Sequence, residues 1–179
     1  MQKLYFIAIV IPEPVQTEIT KFKLDTQRLF SSSKALNLPA HITLVAPFKA
    51  THTEENFIKQ SLNKAAGNIN SFYLQIDGFD KFGTHTIFLK TDTPTELLKI
   101  HTQLNEVFSK YQDDTRRKTK IFSPHITVAY KDIKADIFPK IWQYFNSKQY
   151  FRITKIDNIT LFRHDGKKWH VIHTKKLQK

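Results

Sequence analysis

The tripeptide His-Ile-Thr occurs twice in this 179-residue sequence, from His41 to Thr43 and again from His125 to Thr127. Both copies closely follow a proline and lie in runs typical of β-strands, PAHITLVAPF and SPHITVAY. Because successive side chains of a strand point to opposite faces, each His shares a face with the Thr two residues later. The aliphatic neighbours point the other way. Each copy is therefore predicted to present an imidazole and a hydroxyl together.

Two imidazoles that face each other suit general acid–base catalysis. Histidine titrates near pH 6.5, so a neutral base and a protonated acid can coexist around neutral pH. The threonine hydroxyls can donate hydrogen bonds to the non-bridging oxygens of a phosphate. One His-x-Thr strand is usually structural, but two identical copies in equivalent contexts indicate catalysis. We predict that His41 and His125 are catalytic and that Thr43 and Thr127 bind substrate, without a metal, a cofactor or a covalent nucleophile.

The elements around the two motifs recur at a nearly constant offset of 84 residues, as from His41 to His125. A helical pattern near Thr53 recurs near residue 137, and a β-type run at Phe72 recurs at residue 156. We interpret the chain as two copies of a strand–helix–strand–helix–hairpin unit. We expect one domain over residues 1–179, made of two lobes of roughly 1–91 and 92–179. Exchange of strands between the two lobes is a further option.

Composition excludes several classes of protein. The chain has no cysteine, which removes disulfides, thiolate metal sites and cysteine nucleophiles. Its four glycines lack the G-x-G spacing of nucleotide-binding loops, and no H-x-H, H-E-x-x-H or D-x-D metal motif is present. The apolar run Leu4–Ile11 is too short to span a membrane and lacks a cleavage site, so we predict a buried strand in a cytoplasmic protein.

The charge balance favours polyanionic partners. With 28 basic and 16 acidic residues the formal net charge is +12. Arg116 begins a basic run before the second motif that either steers an anionic substrate or is a solvated loop. Phe48 and Tyr130 close the motif strands and either stack a base at the cleft rim or pack in the core. No obligate protein partner is evident, and we expect a monomer.

With these motifs the sequence resembles the two-histidine (2H) phosphoesterase superfamily, whose bacterial branch includes 2′-5′ RNA ligases and RNA 2′,3′-cyclic phosphodiesterases. The hallmark is a pair of H-x-[ST]-x motifs, here HITL at His41 and HITV at His125. The resemblance spans essentially the whole chain. It implies a bilobal, duplicated α+β fold, with two antiparallel β-sheets around a central cleft and helices packed outside. It also implies a metal-independent phosphodiesterase, a hydrolase acting on 2′,3′-cyclic or 2′-5′ bonds in RNA ends or small cyclic nucleotides.

One departure from the family pattern bears on the substrate rather than on the catalytic class. Members that process RNA often carry an arginine shortly after the second threonine, whereas this chain has Ala129, Tyr130 and Lys131. Lys131 substitutes only in part, because an ammonium cannot grip phosphate with a bidentate fork.

The alternative function is a catalytically silent RNA- or nucleotide-binding module of the same fold. The intact His and Thr of both copies argue against it, since binding alone does not require matched imidazoles. ATP-driven ligation would need an adenylation lysine motif and a glycine loop, and neither is visible in the sequence.

Overall fold

A computed structural model describes residues 2–111 and 121–179 of the chain. These residues form eight β-strands and four α-helices, together with short 3-10 turns. In chain order the elements are β1 (Gln2–Val10), α1 (Val15–Phe30), β2 (His41–Thr51), α2 (Glu55–Ala65), β3 (Phe72–Phe82), β4 (Thr86–Thr91), α3 (Thr95–Phe108), β5 (His125–Tyr130), α4 (Phe138–Asn146), β6 (Phe151–Ile156), β7 (Asn158–His164) and β8 (Trp169–Lys176).

The strands form two four-stranded antiparallel sheets, in the orders β2-β1-β7-β8 and β5-β4-β3-β6. The predicted duplicated α+β fold with two antiparallel sheets is therefore confirmed. A motif strand lies at the edge of each sheet, and these two edge strands, β2 and β5, are in contact with each other. The two His-Ile-Thr motifs thus meet where the sheets adjoin.

The duplicated unit differs from the one predicted. Matching the two sheet orders makes β1 the counterpart of β4, β7 of β3, and β8 of β6. The offset of 84 residues also relates Gln2, where β1 begins, to Thr86, where β4 begins. The second unit therefore starts at β4, a strand that the sequence pattern groups with the hairpin of the first unit. Each sheet takes two strands from the early part of the chain and two from the late part.

Strand β1 is apolar without interruption over residues 4–10, and its residues 5–9 are buried on both faces. Tyr5, Ile7 and Ile9 belong to the main core, whereas Phe6 and Ala8 form a smaller cluster on the other face. The helices tie the two sheets together: α1 packs against β5 of the second sheet, and α3 packs against β2 of the first. None of the described helices is both long enough and apolar enough to cross a membrane.

Substitution of Leu44 tests which face of β2 packs in the core. This residue is 2% exposed, next to the half-buried Thr43. Leu44→Ala should lower the free energy of unfolding by about 2–5 kcal/mol, because truncation leaves a cavity in a close-packed core. Lys49→Ala is the matched control, since Lys49 is exposed on the same strand; it should change the value by no more than about 0.5 kcal/mol. Urea denaturation measures both, and equal losses in the two variants would contradict this orientation of the strand.

Candidate active site

The two motifs display the side-chain alternation expected of half-buried strands. Ile42 and Leu44 on β2 and Ile126 and Val128 on β5 are buried in the core. The His and Thr of each motif are half-buried on the opposite faces of the same strands. Burial of the aliphatic side chains therefore fixes the direction in which the chemically active side chains point.

Both imidazoles are held by the same kind of hydrogen bond. The Nδ1 atom of His41 lies 2.8 Å from the carbonyl oxygen of Pro39, and Nδ1 of His125 lies 2.8 Å from the carbonyl oxygen of Ser123. Because a carbonyl oxygen only accepts hydrogen bonds, Nδ1 must carry the proton in each ring. Nε2 of each neutral ring is then left with a lone pair, ready to accept a proton.

Each imidazole also packs against a phenylalanine of the neighbouring strand. The ring of His41 lies 5.5 Å from that of Phe6 on β1, and the ring of His125 lies 5.1 Å from that of Phe88 on β4. These phenylalanines stack in turn on Phe162 of β7 and Phe82 of β3, at 4.6 and 4.1 Å. Since the strands involved are counterparts in the two sheets, the duplication extends to a His–Phe–Phe arrangement that sequence reasoning missed.

A cavity of about 280 Å³ lies beside the motifs. Five of the residues predicted for the site line it: His41, Thr43, Thr127, Tyr130 and Lys131. The lining also contains residues that were not predicted, namely Phe6, Lys23, Lys34, Ala35, Leu38, Pro47 and Trp169. His125 shares the face of β5 with Thr127 but does not itself line the cavity. Its charge nevertheless acts on His41, so the two rings lie within electrostatic range of each other.

The electrostatic surroundings keep His41 neutral. Burial is the main cause that lowers the pKa of His41, to about 4, and the charges of Lys23 and His125 lower it further. The hydrogen bond to the Pro39 carbonyl acts in the opposite direction. His41 is therefore unprotonated at neutral pH, so the lone pair of its Nε2 atom is available to accept a proton.

Asp132 anchors the loop that closes one side of the cavity. Its carboxylate accepts hydrogen bonds from the Ser32 hydroxyl at 2.7 Å and from the backbone N–H groups of Ser33 and Lys34 at 2.8 and 2.9 Å. The turn that carries Lys34 is thereby fixed to the end of β5. Burial, followed by the nearby Asp132 charge, raises the pKa of Tyr130 above its ordinary value.

One of the residues proposed from the sequence is placed differently. Phe48 is 3% exposed and packs in the core against Tyr5 and Phe108, at ring distances of 6.0 and 5.4 Å. The packing interpretation of Phe48 is therefore the correct one and the base-stacking interpretation is wrong, because Phe48 lies on the core face of β2 with Leu44. Arg116 lies outside the described residues.

Two histidines away from the motifs have hydrogen-bond partners of their own. Nε2 of His170 lies 2.6 Å from the Asp165 carboxylate, and Nε2 of His173 lies 2.8 Å from the Asn63 side-chain oxygen. Within residues 2–111 and 121–179, no three His, Asp or Glu side chains converge as metal ligands would. The polar chemistry of the cavity is supplied by imidazole, hydroxyl and ammonium groups.

Comparison with known proteins relates most of the chain to one family. The 2′-5′ RNA ligase superfamily model matches residues 11–168. A protein from Oceanobacillus iheyensis described as a phosphoesterase is 30% identical over 145 residues, which cover 76% of this chain and 79% of that protein. Among solved structures, E. coli LigT in complex with 3′-AMP has a TM-score of 0.71 at 15% identity, with 100% of both chains covered. TT0787 from Thermus thermophilus has a TM-score of 0.69 at 18% identity, with 98% of both chains covered.

Direct titration of His41 tests the electrostatics of the site. Its pKa should lie near 4, well below the ordinary imidazole value of about 6.5. Lys23→Met should raise the pKa of His41, because it removes a nearby positive charge. NMR of the imidazole nitrogens from about pH 3.5 to about pH 8 measures both values, with His41→Asn used for assignment.

The lowered pKa of His41 also makes the stability of the folded protein depend on pH. Between the unfolded and the folded pKa of His41 the unfolded chain binds more protons, so this residue makes stability fall as pH decreases through that window. Replacing His41 with Asn should flatten that part of the pH dependence. A His41 pKa at or above the ordinary imidazole value would contradict the electrostatic description.

Proposed function

This chain belongs to the 2′-5′ RNA ligase superfamily of two-histidine phosphoesterases, and from that premise we propose that it hydrolyses 2′,3′-cyclic or 2′-5′ phosphodiester bonds in RNA ends or small cyclic nucleotides. One observation carries the proposal. Two imidazoles on adjacent edge strands each have Nδ1 bonded to the carbonyl two residues earlier, which leaves Nε2 free. Each of them shares a strand face with a threonine.

The proposed reaction divides the proton transfers between the two rings. His41, neutral because burial lowers its pKa to about 4, accepts a proton at Nε2 from the attacking water. His125, in its protonated form, donates a proton to the departing ribose oxygen. A phosphorus–oxygen bond to water forms as the phosphorus–oxygen bond to the ribose breaks, so the product is a phosphomonoester beside a free hydroxyl. Neither step requires a metal ion.

Thr43 and Thr127 are proposed to bind the phosphate. They reach the same cavity from different sheets, so their hydroxyls can donate hydrogen bonds to non-bridging oxygens from two sides. Negative charge accumulates on these oxygens as water attacks, which strengthens such hydrogen bonds in the transition state. Since both motifs belong to one chain, we propose that the monomer is sufficient for the reaction.

The composition of the cavity supports a nucleotide as the substrate. Tyr130 and Trp169, both half-buried, line it with aromatic surface on which a base can stack. The net charge of +12 attracts polyanions, RNA included. The E. coli relative has been solved with 3′-AMP, a nucleotide with a phosphate on the ribose. This combination of aromatic surface, hydroxyls and positive charge supports a nucleotide substrate.

Removing either imidazole should nearly abolish hydrolysis. We expect His41→Ala and His125→Ala each to slow single-turnover hydrolysis of adenosine 2′,3′-cyclic phosphate by about 10²–10⁴-fold, because each deletes one proton transfer. Thr43→Ala and Thr127→Ala should cost roughly 10-fold, the effect of one hydrogen bond to a phosphate that keeps its other contacts. EDTA should leave the wild-type rate unchanged.

His52→Ala serves as the control variant. The His52 side chain is 79% exposed and lies outside the cavity lining, so the rate should stay at the wild-type value. Circular dichroism confirms folding of every variant. Near-wild-type activity in either motif-histidine variant would refute the paired mechanism. A wild-type protein that binds RNA but hydrolyses neither this substrate nor a 2′-5′ dinucleotide would support the catalytically silent binding module instead.

A further inference from the structure

A lysine is buried beside the proposed catalytic site. Lys23 lies on the apolar stripe of α1, together with Val15, Ile19 and Thr26, and is 2% exposed. Its ammonium donates a hydrogen bond to the Leu38 carbonyl oxygen at 3.0 Å. Within residues 2–111 and 121–179, no carboxylate forms an ion pair with it. Burial lowers the pKa of Lys23 to about 8, so the ammonium remains the main form at neutral pH.

An isolated ammonium in this position is unfavourable for folding. Lysine is among the residues least often buried, and a buried charge is normally paired with an opposite charge. A methionine or leucine would complete the stripe of α1 at no such cost. Retention of a cation here therefore indicates an anion that the chain does not itself supply.

Two more lysines line the same cavity. Lys34 comes from the turn after α1, and Lys131 follows the last residue of β5. Among the described residues that line the cavity, none is acidic. Asp132, beside Lys131 in the sequence, is engaged by Ser32, Ser33 and the backbone of Lys34 rather than by an ammonium group.

The positive charge exceeds what the scissile group needs. A cyclic phosphodiester carries a single negative charge, and the two threonine hydroxyls and the imidazoles already suit it. The three lysines bring three further positive charges to the same cavity. The bonds that Asp132 accepts hold the turn of Lys34 against the end of β5, so the backbone at two of the three lysines is fixed before a ligand arrives.

We propose that Lys23, with Lys34 and Lys131, forms a second anion subsite that binds a phosphate on the 5′ side of the nucleotide whose cyclic phosphate is cleaved. This proposal rests on the proposed function, because the subsite lies in the same cavity as His41 and both threonines. The preferred substrate is then a 5′-phosphorylated 2′,3′-cyclic nucleotide, in which the second phosphate supplies the counterion for Lys23. An unphosphorylated cyclic nucleoside phosphate leaves that ammonium unpaired.

Two substrates that differ only in the 5′ phosphate test the subsite. At constant ionic strength, wild-type kcat/KM for 5′-phosphoadenosine 2′,3′-cyclic phosphate should exceed that for adenosine 2′,3′-cyclic phosphate by roughly 10- to 100-fold, the value of charge-assisted hydrogen bonds to one phosphate. Lys23→Met should bring this ratio to within about threefold of one. Lys34→Met, at an exposed position that carries little risk to folding, should lower the ratio by a smaller factor.

Lys21→Met is the matched control. It removes the same charge from an exposed position of α1 outside the cavity lining, so the ratio should stay at the wild-type value. If wild type hydrolyses both substrates at equal rates, the second subsite is wrong while the proposed function stands. If wild type hydrolyses neither, the proposed function itself fails. An equal drop of the ratio in the Lys21, Lys23 and Lys34 variants would overturn the subsite in favour of general electrostatic attraction.

Discussion

The site depends on a hydrogen bond that occurs twice, from Nδ1 of each motif histidine to the carbonyl oxygen two residues earlier. This bond fixes the tautomer and leaves Nε2 free, and it can do so only where the backbone itself is fixed. The backbone is fixed because Ile42 and Ile126, the central residues of the motifs, are buried on the opposite faces of their strands. Packing of the core thus determines where the imidazoles point, and contact between two edge strands determines that they meet.

The cavity beside these strands departs from the rules that govern the rest of the molecule. A lysine lies on the buried stripe of α1, and a half-buried histidine lies where its charged form is disfavoured. Such local departures from what stability favours are expected at functional sites. Contacts around the cavity hold these unfavourable groups in place. Asp132 fixes the turn of Lys34 to the end of β5, α1 packs against β5 of the second sheet, and α3 packs against β2 of the first.

Much of this arrangement was predictable from local patterns. Period-two alternation gave the faces of both motifs. It does not extend along β2 to Phe48, because the pairing with β1 is irregular between Thr43 and Phe48 and Val45 is buried beside Leu44. Lys23 was accessible to the same kind of reasoning, because it follows Ile19 at helical spacing. The repeat was detectable, and its offset of 84 residues also relates Gln2 at the start of β1 to Thr86 at the start of β4. The sequence pattern nevertheless groups β4 with β3, because the two strands form a hairpin. Features that depend on long-range contacts could not be predicted. Ser32 and Asp132 are 100 residues apart in the chain and meet only after the sheets have formed. The phenylalanines beside the two imidazoles are not related by the offset of 84 residues, because the strand registers of the two sheets differ. Thr43 lies opposite Ala8, whereas Thr127 lies opposite Phe88.

The central claim is that the two imidazoles act as one unit on one phosphate, and a double-mutant cycle tests it most directly. Single-turnover rates would be compared for wild type, the two single motif-histidine alanine variants and the double variant His41→Ala/His125→Ala. If the rings work as a unit, the double variant should be slower than the worse single variant by no more than about 10-fold. If the two losses multiply in the double variant, the histidines act independently and the paired mechanism is contradicted.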